Sequence, residues 1–323
     1  MLSRVADSLF WMSRYLERAE QIARLVHVHL NLRLEQPAEM NATRWSRVRA
    51  TLNLDDPSGS EDLAEVLDQM CFNPGSRSSI VNAIMAARAN ARQVREQISS
   101  EMWEQINRLY HHVRSLPHDG GAHAEPEEFL ESVMEGAHLF RGLTDSTMSH
   151  GHGWHFIQLG QFLERSLNVA SIMHVHFQHF WDTPLPAFDD EPSAMDYPEW
   201  IGILKSATAF EAYCKVHTPR ILPRHVADFL LLSPVFPHSI RFSVERMQHA
   251  LVQICEESPS RRVSKVLRLA GRLQAVLSYS QVDEVLGAGL DQTLADVRRQ
   301  TMQIHAGVHQ AFISYPVEAA LEV

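Results

Sequence analysis

Apolar or small residues recur at Val5, Leu9, Met12, Leu16, Ala19, Ala23, Val26 and Leu30, an unbroken alternation of four and three steps. That spacing keeps one face of an α-helix apolar and excludes a strand, whose faces alternate every second residue. The same alternation returns at Phe156, Leu159, Leu163, Ser166, Ala170, Met173 and Phe177. Helix-breaking Pro, Gly, Asp and Asn concentrate in residues 55–59, 73–75, 116–121 and 182–198. Between these the pattern predicts helices over roughly 2–35, 43–54, 61–72, 77–115 with a break, 126–149, 153–181, 197–218, 223–232, 238–257, 260–280 and 289–314. The expected fold is all-α, a multi-helix bundle of about ten helices. It forms a single domain over 1–323, divisible into halves 1–117 and 126–323.

Two stretches share more than a period. Tyr15-Leu16-Glu17-Arg18-Ala19 is echoed by Phe162-Leu163-Glu164-Arg165-Ser166, and the offset of 147 residues is a whole number of heptads. Residues 15–28 and 162–175 agree at six of fourteen places, which points to a degenerate internal duplication. Convergence accounts for part of the agreement, since Leu, Glu, Arg and Ala are all good helix formers. A weaker third echo is Val244-Glu245-Arg246-Met247.

With Leu16 at heptad position a, Glu17 and Arg18 fall at b and c, which face solvent in a two-helix coiled coil. Here those faces are apolar, with Phe10, Trp11, Ile22 and Leu25 around the first pair and Ile157, Phe162 and Ile172 around the second. A helix apolar nearly all round belongs in the middle of a bundle, so the Glu-Arg pairs are expected to be buried. Buried charges are costly unless paired, and adjacent residues on a helix do not face each other. The expected geometry therefore sets the two helices about a pseudo-twofold axis, with Glu17 meeting Arg165 and Glu164 meeting Arg18. Arg14, Glu20 and Arg24 flank the first pair. In a functional site, Arg18 or Arg165 would hold a carboxylate or phosphate and Glu17 or Glu164 would bind an amine or act as a base. In a structural network, the same residues would fix helix register. For Glu245 and Arg246 the residues alone point to a solvated helix face.

Charge and motifs narrow the classes. With 29 Lys and Arg against 39 Asp and Glu, the formal charge of −10 disfavours nucleic acid as a partner. Charged residues near the start and the lack of an 18-residue apolar run leave no expected membrane segment, and three Cys without a CxxC spacing fit a reducing compartment. The expected location is the cytoplasm. Histidines cluster at His150, His152 and His155, at His174, His176 and His179, and at His305 and His309. No HExxH accompanies them, and Glu135 with His138 is the sole Glu-x-x-His spacing, so no metal is expected. Gly-x-Ser-x-Gly and phosphate-binding glycine loops are absent, and no other cofactor is expected.

The segments SRVADSLFWMSRYLERAEQIARL, GWHFIQLGQFLERSLNVA and FLLLSPVFPHSIRFSVERM together resemble the Alpha-E family, an all-helical bacterial domain named for its recurring Glu-Arg motif. The likeness covers nearly the whole chain, although the family pattern carries Arg where this chain has His238. The resemblance implies a setting beside ATP-grasp ligases of the peptide-forming type and transglutaminase-like proteins. It makes Glu245 and Arg246 candidates for a third wall of the same cavity. The expected role is that of an accessory partner of an amide-forming ligase, binding the ligase or its peptide substrate. The alternative is an enzyme that modifies a small peptide or amide metabolite through the Glu-Arg cluster.

Overall fold

The computed structural model describes residues 3–35, 41–54, 62–76, 78–115, 126–180, 185–193, 196–217, 220–256 and 261–313. Residues 55–59, 116–121, part of the proline-rich 182–198 stretch, and Trp181 lie outside the described residues, as does the side chain of His179. α1 (Ser3–Glu35) is followed by α2 (Asn41–Thr51), α3 (Leu63–Leu67), α4 (Ile80–Gln93), α5 (Ser100–Ser115) and α6 (Pro126–Thr147). α7 (His152–His176) opens a second series: α8 (Tyr197–Ser206), α9 (Phe210–His217), α10 (Pro223–Leu232), α11 (Ile240–Glu256), α12 (Arg261–Tyr279), α13 (Val282–Ala288) and α14 (Leu290–Val308). No strand occurs among the described residues, and the fold is all-α.

Among the described residues there are fourteen helices, more than the expected ten for local reasons. The 77–115 stretch breaks between α4 and α5 as expected. The 197–218 stretch also breaks, at Thr208, whose φ of 53° ends α8. α13 was not foreseen. It is set by a capping box between Gln281 and Glu284, and Gly289, at a φ of 104°, separates it from α14.

Two rings of four helices carry the architecture. In the first, α1 packs on α4, α4 on α5, α5 on α6, and α6 back on α1; α7, α11, α12 and α14 close the same cycle in the second. The rings join along α1 and α7, the most extensive helix contact in the molecule. Apart from α13, which lies between α12 and α14, the shorter helices are inserted between the first and second members of each ring. α2 leans on α7 and α1, while α8 leans on α1 and α7. Because α6 packs on α1 and α5, it completes the first ring.

α1 and α7 run side by side in the same direction and come into tight contact at Ser13 and Gly160, themselves 147 residues apart. A Cβ on Gly160 would overlap the Phe10 carbonyl oxygen and Ser13 Oγ, so only glycine allows this contact. Leu9, Met12 and Leu163 pack close by without exposure, which fixes the seam in a dry core.

Candidate functional site

The two Glu-Arg phrases meet one turn beyond that contact. Arg165 donates from Nε to Glu17 Oε1 at 2.6 Å and from Nη2 to Oε2 at 3.1 Å. Arg18 donates from Nε to Glu164 Oε1 at 2.6 Å. This reciprocal pairing is the one the heptads predict, because parallel helices in register place matching positions at the same height. Each guanidinium also lies over the ring three residues earlier, Arg18 over Tyr15 at 5.4 Å and Arg165 over Phe162 at 5.0 Å.

The flanking charges extend the layer. Arg14 Nε donates to Glu164 Oε2 at 2.7 Å, Arg24 Nε to Glu20 Oε1 at 2.8 Å, and Arg165 Nη1 to the Pro237 carbonyl at 3.1 Å. From α6, Arg141 Nη2 reaches Glu17 Oε2 at 2.9 Å and Glu20 Oε2 at 3.3 Å. Glu17, Glu20 and Glu164 are 1%, 0% and 4% exposed, so five guanidinium groups surround three interior carboxylates.

Burial pushes the Glu164 carboxyl up, but Arg14 and Arg18 pull harder and hold it below the ordinary glutamate value. Burial acts on Glu20 in the same way and is outweighed by Arg141 and Arg24, so it too stays ionised. Both oxygens of each carboxylate already accept from guanidinium groups. A general base needs a less depressed pKa, and neither residue offers one in this arrangement.

The layer has two unlike flanks. Toward α6 it is filled by Glu20, Arg24 and Arg141, with His138 Nε2 at 3.7 Å from Glu20 and the buried His238 beside them. A cavity of about 180 Å³ remains there, lined in part by Ser13, Glu17, Thr144, Gln158 and Gln161. Toward α14 the layer opens into a cleft of about 650 Å³, lined in part by Arg14, Arg18, Glu164, Asn168, Arg298 and Arg299. Arg18, whose side chain is 28% exposed, is the guanidinium that bridges the buried carboxylate and the cleft.

His305 of α14 backs the open flank. Its ring stacks on Phe10, and Arg14 Nη1 lies 3.2 Å from its Nδ1. Arginine can only donate, so Nδ1 accepts and the imidazole is neutral. Burial, then Arg14, pushes its pKa down to about 4.

Glu245 and Arg246 are not brought into the layer and line neither cavity. α11 turns Ser243, Val244 and Met247 inward, which leaves Glu245 to pair with Arg241 at 2.9 Å and Arg246 exposed over Phe242. The histidines disperse: His150 stacks on Trp154, His174 lines the large cleft, and His176 packs on Trp200. Among the described residues no group of three or more His, Cys, Asp or Glu is placed to hold a metal ion. Sequence reasoning missed Arg141, Arg298 and Arg299. Arg141 carried a signal, a charge between the buried Phe140 and Thr144 on the inward face of α6.

These features define a class: an all-helical protein of two like four-helix rings joined through a buried Glu-Arg layer. The model of the Alpha-E family, described as "A predicted alpha-helical domain with a conserved ER motif", matches residues 1–313, and the chain belongs to that family. Its relatives include uncharacterized proteins of Mycobacterium bovis and Mycobacterium tuberculosis, each 22% identical over 333 residues, a match covering 95% of this chain and 35% of the relative. The chain thus spans about a third of the length of the curated relatives it matches. No solved structure matches it. Among the described residues no helix is long and apolar enough to cross a membrane.

Proposed function

We propose that this chain is a partner protein of an ATP-grasp amide-forming ligase, binding the ligase or its peptide substrate. In this reading the Glu-Arg layer is a frame for the α1, α7 and α14 cleft and takes no part as a reagent. The observation that supports it is the pairing of Glu164: its two oxygens are held by Arg14 and Arg18, and the carboxyl sits below its ordinary pKa. Such a carboxylate holds side chains in register and accepts a proton poorly. A transglutaminase-like protein acting on the same peptide is a further candidate partner.

The size of the cleft favours one second reading. About 650 Å³ is ample for a small peptide, and Glu164 lies at its wall. In an enzyme, substrate would have to displace Arg18 and free Oε1 for proton transfer. One experiment separates the two: product formation by the neighbouring ligase is compared with this protein present, absent, or carrying Glu164→Gln, alongside co-elution of the two proteins. Product that requires the protein yet survives Glu164→Gln is the expected result. Loss of product with a folded, co-eluting Glu164→Gln protein would establish the enzyme reading.

A further inference from the structure

The open flank holds more positive charge than the protein balances. Arg14, Arg18, Arg298 and Arg299 line the cleft, and the carboxylate among its lining residues is Glu164. Arg299 also meets Asp296 at 2.8 Å on the outer face, and Arg298 Nη2 donates to the neutral Asn53 Oδ1 at 3.2 Å. Four guanidinium groups thus face two carboxylates on a chain whose formal charge is −10. A positive cleft in an acidic surface concentrates anionic ligands there and repels cationic ones.

The form of the cleft selects among anions. Phosphate cradles are built from successive backbone N–H groups or helix N-termini. Here the walls are side chains from the middles of α1, α7 and α14; the rim carries the C-terminal end of α2, at Thr51, Leu52 and Asn53, and Ser78, which precedes an α4 N-terminus already capped by Ser79 Oγ at Asn82 N. A helix C-terminus carries partial negative charge and favours an ammonium group. Guanidinium forks along a wall, with a carbonyl-bearing helix end at one side, match a chain of carboxylates with a free amine.

We propose that the cleft between α1, α7 and α14 binds an acidic peptide, with its carboxylates on Arg18, Arg298 and Arg299 and its amino terminus at the end of α2. This rests on the reading that the chain binds the ligase's peptide substrate, and it names that substrate's chemical class. Arg14 stays with Glu164 and holds the inner wall in place.

Isothermal titration of the full chain tests it, with hexaglutamate, N-acetylated hexaglutamate and tripolyphosphate as probes at low and high salt. Hexaglutamate binds saturably, more weakly in high salt. Arg298→Gln with Arg299→Gln lowers its affinity by about tenfold or more. N-acetylation weakens it further, and Arg114→Gln, an exposed change on α5, leaves it unaltered. Thermal unfolding of each variant verifies the fold. The proposal is overturned by the absence of saturable hexaglutamate binding, by equal losses in the cleft and α5 variants, or by tripolyphosphate binding tighter than hexaglutamate. Hexaglutamate failing while the ligase still co-elutes removes the ligand class alone, and the opposite result removes the partnership alone.

Discussion

The two copies of the Glu-Arg phrase make the same ion pair and then part company. Around Glu17 the flank is packed with Glu20, Arg24 and Arg141, whereas around Glu164 it opens into a cleft. The 147-residue offset locates the cause: Glu20 and Arg24 correspond to Leu167 and Ser171, both cleft-lining, so the second copy lacks the charges that fill the first. Tyr15 and Phe162 support their arginines alike, and Ser13 and Gly160 share one crossing point. The duplication preserved what sets the register of α1 and α7 and released the positions one turn beyond it.

The largest expected effect tests that asymmetry directly. Glu17→Ala leaves Arg165 without a carboxylate in the interior, while Arg141 keeps only its longer contact to Glu20, and denaturant unfolding should show a loss of about 3–5 kcal/mol. Glu164→Ala should cost less, about 1–3 kcal/mol, because the two arginines it releases, Arg14 and Arg18, both line the cleft and can be hydrated from it. Equal losses would remove the distinction between a closed flank and an open one.

Next in size is the crossing on which both flanks depend. Gly160→Ala should destabilise by about 1–3 kcal/mol, since the added Cβ forces α1 and α7 apart. Gly142→Ala, in α6 with open space around it, should stabilise by up to about 1 kcal/mol. A tolerated Gly160→Ala would mean that the seam yields, and then the layer could not hold the flanks distinct.

The smallest effect is a pH dependence on the open flank. His305 has a folded pKa of about 4 against an ordinary 6.5, so the unfolded chain takes up a proton that the folded one resists. Its contribution is complete above pH 6.5 and is lost as the pH falls toward 4. His305→Gln should therefore flatten the decline in melting temperature over that window, by less than about 1 kcal/mol given the partial exposure of the ring. An unchanged slope would mean that other groups, such as the buried His238 beside Arg165 on the filled flank, carry the acid sensitivity.

Much of the site was legible because its logic is local and repeated. The heptad count put Glu17 and Arg18 on faces crowded by Phe10, Trp11 and Ile22, and burial with reciprocal pairing followed from the cost of an unpaired charge. The partners drawn from elsewhere were not legible. Arg141 and His305 reach the layer from α6 and α14, each the fourth helix of its ring, and nothing in the local pattern of those helices says which face meets α1. Glu245 and Arg246 show the reverse, a motif that matched in sequence while α11 rotated it outward.

The sequence alone determined the long helices, the duplication and the Glu17–Arg165 and Glu164–Arg18 pairs, because helical period and the energetics of buried charge act over a few turns. Tertiary structure decided how the rings close, which copy keeps its flank filled, and where the cleft lies. Those depend on side chains far apart in the chain filling or failing to fill the same space.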